Sequence, residues 1–85
     1  MNGTAMEALA EEWARKVVAK GMPARSLPVD EQAEAYEDLS TAYAILADLA
    51  HHAGDTERSV ALSEMAEQTD WHARQLRPQD PWADR

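Results

Sequence analysis

The chain has 85 residues and a formal charge of −8, from 16 Asp and Glu against 8 Lys and Arg. That length suffices for one small domain, and that charge repels phosphates over most of the surface, so direct nucleic-acid binding is not expected. The absence of cysteine excludes disulfides, thiolate metal sites and cysteine nucleophiles.

Neither a basic segment leading into an apolar run nor a stretch of membrane-spanning length occurs, so a soluble, cytoplasmic protein with no membrane contact is expected. Apolar residues make up 45% of the chain, but seventeen of them are alanine, which favours helix and buries little area. A core this thin predicts self-association or a bound partner.

The first helix is predicted over residues 4–20. Thr4-Ala5-Met6-Glu7 fits a capping box, Gly21 is a left-handed stop, and Pro23 follows. Met6, Leu9, Ala10, Trp13 and Val17 recur at helical spacing, which predicts a buried face with Trp13 as its anchor. Glu11 and Arg15, like Glu12 and Lys16, are spaced i,i+4 in the favourable order on the opposite, solvated side.

Residues 21–29 carry two prolines and a glycine and form a connector. A second helix is predicted over about 30–53, with Ser26 as an earlier possible cap. Tyr36, Leu39, Tyr43, Leu46, Ala50 and Ala53 make a heptad-like seam, widened by Ala42, Ile45 and Leu49. So broad a stripe exceeds what two thin neighbours cover, which predicts a homodimer joined through this helix.

Gly54-Asp55 is the sharpest punctuation: glycine accepts a left-handed backbone, and Asp55 can cap the next helix. A tight antiparallel hairpin follows. The third helix spans about 56–76, with Leu62, Met65, Ala66, Thr69, His72, Ala73 and Leu76 inward. Residues 77–85 form a tail whose two prolines block helix and whose Trp82 either folds back or docks on a partner. The predicted fold is an all-α, three-helix domain over 1–76, with a hairpin of the second and third helices.

From Tyr43 and Leu46, through Ala47 and Gly54-Asp55, to Ala66, residues 40–71 resemble a single tetratricopeptide-type repeat. Ala50, Ser59, Ser63 and Trp71 depart from that pattern. One copy cannot make a solenoid, so the resemblance implies a helix-turn-helix hairpin packed by the first helix.

Charge is the clearest functional signal. Residues 30–70 hold eleven acidic side chains and a single basic one, Arg58. Some of this is a solvated face, with Asp30 and Glu31 suited to a helix N-terminus. The excess also suits a surface that steers a basic protein. Glu31, Glu34, Glu37 and Asp38, with Trp71 and Trp82, are the predicted partner-binding residues of a small, non-catalytic adaptor or inhibitor.

Two other readings stand beside it. One is a self-assembling structural protein; the other is a metal or small-ligand carrier using His51, His52 and carboxylates across a dimer interface. The chain has no Glu-x-x-His pair, so no metal site or cofactor is assigned. Ser59 and Ser63 lie in no recognisable nucleophile motif, and no phosphate-cradling glycine loop occurs, so no enzyme activity is expected.

Overall fold

The protein is described by a computed structural model covering residues 2–77, with side chains from residue 5 onward. Three helices follow one another: α1 (Asn2–Lys20), α2 (Val29–His52) and α3 (Thr56–Leu76). There is no strand among the described residues, and α3 packs closely along α2. None of the three helices is long and apolar enough to cross a membrane.

The turn between α2 and α3 is built locally. Gly54 takes φ +83°, and the N–H groups of Asp55 and Gly54 donate to the carbonyls of Ala50 (2.9 Å) and His51 (3.0 Å). These bonds satisfy helix-end carbonyls in a left-handed glycine stop. The Asp55 carboxylate then accepts from the Arg58 N–H at 3.2 Å, so one residue ends one helix and caps the next.

The connector is tied from within α2: the Gln32 amide donates to the carbonyls of Arg25 (3.0 Å) and Leu27 (2.7 Å). Pro28, not Ser26 or Asp30, holds the N-cap position of α2. At the other end of the chain, α1 runs through Thr4 from Asn2. An N-cap residue has non-helical backbone, so Thr4 does not cap α1 as the capping-box pattern predicted.

The hairpin interface is made of small residues. Ala33, Ala47, Ala50 and Ala73 are buried, and among the described residues Leu39 is the single large apolar side chain fully buried, at 2% exposure. Serines sew the helices together: the Ser40 hydroxyl donates to the Ala66 carbonyl at 2.9 Å, and the Ser59 hydroxyl to the Ala47 carbonyl at 3.0 Å. Hydroxyl-to-backbone bonds across two helices require closely approaching backbones, which alanine and serine permit. Thr69, fully buried, satisfies its hydroxyl inside α3 on the carbonyls of Met65 and Ala66.

Among the described residues α1 packs on α2 alone, and no Cα of α1 lies within 8 Å of one in α3. Its buried residue is Ala14, whereas Met6 and Leu9 are 69% and 64% exposed and Trp13 is also exposed. The expected apolar face of the first helix is therefore turned about its axis, and Trp13 is not a core anchor. The physical reason is that α1 has one neighbour instead of two. Closest approach to α2 falls on a small side chain, Ala14, and leaves the larger ones at the edge.

Candidate functional site

The register of the hairpin brings the C-terminal half of α3 against the N-terminal half of α2. His72 stacks on Tyr36 with ring centroids 5.2 Å apart and planes 24° from parallel. Trp71 meets His72 edge-on at 5.3 Å. The imidazole stands between Tyr36 and the indole, and the indole lies outside it at 58% exposure. His72, predicted inward, is itself exposed. A shallow recess of about 280 Å³ is bounded by Glu67, Gln68, Trp71 and His72.

Glu31, Glu34 and Asp38 are exposed on this same end of the hairpin. Glu37 is different. Its carboxylate accepts two hydrogen bonds from the Arg77 guanidinium, at 2.6 and 2.9 Å, from the first residue past α3. Paired in this bidentate way, Glu37 is a structural clasp between the end of α3 and the start of α2. Glu37, with Asp30 and Glu34 farther off, raises the Arg77 pKa and keeps it charged. Solvent reaches both partners, so the clasp positions more than it stabilises.

Five of the six predicted partner-binding residues therefore cluster at one end of the hairpin, four of them with free polar or aromatic surface. Trp82 lies outside the described residues. Arg77 was missed because its partner is forty positions away in sequence. An antiparallel hairpin turning at Gly54-Asp55 sets His72 opposite about Tyr36 or Glu37, and extended by one turn of α3 it brings Arg77 to the same acidic segment.

The other end carries the histidines. His52 Nδ1 lies 2.8 Å from the Asp48 carbonyl and 3.6 Å from its carboxylate. The carbonyl hydrogen bond first, then the Asp48 charge, and more weakly Glu7 of α1, raise the His52 pKa above its ordinary 6.5. The rings of His51 and His52 stand edge-on at 5.9 Å. Among the described residues, no three His, Asp or Glu side chains gather as a ligand set.

Open grooves flank this end. One, of about 530 Å³ between α1 and α2, is floored by Ala10, Ala44, Ile45 and Leu49 and edged by Glu7, Asp48 and His52. Another, of about 330 Å³, lies by the hairpin turn between Glu11 and Arg15 of α1 and Ala53, Asp55 and Arg58. A third runs between α2 and α3 past Asp48, His51, Ser59 and Ser63. In it the Ser59 hydroxyl is already engaged with the Ala47 carbonyl.

Comparison with protein-family models, with curated proteins and with solved structures gives no match.

Proposed function

We propose that this chain is a small acidic, non-catalytic interaction module that binds a basic protein through the end of the hairpin where α2 begins and α3 ends. The observation that carries this reading is Trp71, a large aromatic side chain held in the open by the His72–Tyr36 stack, on a segment rich in carboxylates. A cation of Arg or Lys gains from an aromatic face and from nearby negative charge together, and gains most as the contact becomes dry. Glu31, Glu34 and Asp38 supply the long-range attraction, and Trp71 supplies the buried anchor.

Engagement of Ser59 with backbone supports the non-catalytic side of the reading. The tetratricopeptide-like spacing of residues 40–71 adds a pattern common to helical hairpins that bind peptides, and the binding role rests on the site instead. Direct nucleic-acid binding has the whole charge of the chain against it. The expected homodimer through the second helix would draw on open α2 surface such as that beside α1, along Ala44, Ile45 and Leu49.

The test is calorimetric titration of the full chain with an arginine-rich helical peptide across a salt series. Affinity should fall steeply as salt rises, and Trp71→Ala should weaken binding by about fivefold or more, in line with a cation–aromatic contact of about 1 kcal/mol. Affinity that is flat in salt and indifferent to Trp71→Ala and to a Glu31→Gln, Glu34→Gln, Asp38→Asn triple variant sinks the proposal.

A further inference from the structure

The largest uncovered apolar side chains of α1 and the groove beside them belong to one surface. Ala10 lines the groove, and Met6 and Trp13, its i−4 and i+3 neighbours, stand beside it on α1, so the exposed Met6–Leu9–Trp13 stripe flanks the groove without lining it. A protruding stripe and a recess on the same face are what a two-fold interface needs, since each copy must offer both. Exposed apolar surface of this kind, rimmed by polar groups, marks an interaction site.

Charge selects the occupant and its direction. The groove is edged by Glu7 and Asp48, so it suits a helix with an apolar stripe and a basic end. α1 is such a helix. Its acidic residues Glu7, Glu11 and Glu12 lie in the N-terminal half, and Arg15, Lys16 and Lys20 in the C-terminal half. Glu11–Arg15 and Glu12–Lys16 pair within the helix at 3.2 Å, and all four side chains remain well exposed. In a chain of charge −8, α1 is the element that carries no net charge, so it is where two copies meet with least repulsion.

We infer that two copies of this chain associate through antiparallel α1 helices, each setting its Met6, Leu9 and Trp13 against the α1–α2 groove of the other. Antiparallel pairing brings Lys16 and Lys20 of one copy toward Glu7 and Asp48 of its partner, whereas parallel pairing sets like charges together. The acidic ends of both hairpins stay free, which makes the dimer bivalent toward a basic partner. Glu31, Glu34, Asp38 and Trp71 take no part, so this dimer and the proposed binding site stand or fall separately.

The experiment is absolute mass by light scattering and sedimentation from micromolar to millimolar chain, with circular dichroism as the folding control. Mass should rise to twice 9.4 kDa. Leu9→Glu and Trp13→Ala should remain monomeric with unchanged helicity, since both side chains are exposed in the single chain. The double variants Lys16→Glu/Lys20→Glu and Glu7→Lys/Asp48→Lys should each be monomeric, and their equimolar mixture should recover the doubled mass.

A wild-type monomer at every concentration overturns the inference, and so does a Leu9→Glu dimer. A mixture of the two charge variants that stays monomeric overturns the antiparallel arrangement. A monomer that instead seats a basic amphipathic peptide in this groove, lost in Leu9→Glu, assigns the surface to another protein and overturns self-pairing.

Discussion

His52 shows how a single side chain in the last turn of a helix acquires a shifted titration without burial. The Asp48 carbonyl accepts a hydrogen bond from its Nδ1–H, and the Asp48 carboxylate adds attraction for the protonated ring. Both favour the charged form, so the folded-state pKa lies above the ordinary 6.5. The sign for stability follows: the contribution is fully present below 6.5 and is lost as pH rises through the higher folded value. NMR titration of His52 should give a midpoint above 6.5. Asp48→Asn should lower that midpoint only in part, because the carbonyl, the larger cause, remains; a wild-type midpoint at or below 6.5 would contradict this account. At the same scale, a hairpin turning at Gly54-Asp55 sets His72 opposite about Tyr36 or Glu37, and the structure stacks it on Tyr36.

The helices differ in how far local pattern predicts their environment. In α2 the seam residues Leu39 and Ala50 and the second-row Ala42 are buried, because α1 and α3 flank that helix on two sides. In α1 the same kind of periodicity marks residues that stay in solvent, because one neighbour covers only one side. The energetic centre is consequently small. Leu39→Ala removes the one large apolar side chain fully enclosed among the described residues and should cost about 2–5 kcal/mol in urea unfolding. Val60→Ala, at an exposed position of α3, should stay within about 0.5 kcal/mol of the wild type. Equal effects at the two positions would mean that the core is not organised around Leu39. The serines matter at this scale too: Ser40 and Ser59 read as ordinary helix residues in sequence, and the fold uses both to bridge α2 and α3.

Across the whole molecule, negative charge is concentrated in α2 and α3, while α1 balances and Arg77 returns onto the acidic start of α2. Net self-repulsion disfavours the compact state. Screening should relieve it: the Debye length falls from about 30 Å at 0.01 M to about 8 Å at 0.15 M salt. Melting temperature should therefore rise with sodium chloride over this range, followed by circular dichroism. A fall would show that surface pairs such as Glu12–Lys16 and Asp70–Arg74 outweigh the repulsion.

By itself the sequence determined three helices, the hairpin turn at Gly54-Asp55 and the acidic character of the surface, since periodicity, left-handed glycine and composition act through neighbouring residues or their sum. It also set the C-terminal half of the third helix against the N-terminal half of the second, through the antiparallel hairpin. Only the tertiary structure decided that Ala14 and not Trp13 faces α2, that Arg77 closes on Glu37, and that α1 leaves an apolar edge beside an open groove. Those outcomes depend on which helices compete for the same face and on how closely their backbones approach. Neither quantity is carried by the spacing of residues along one helix.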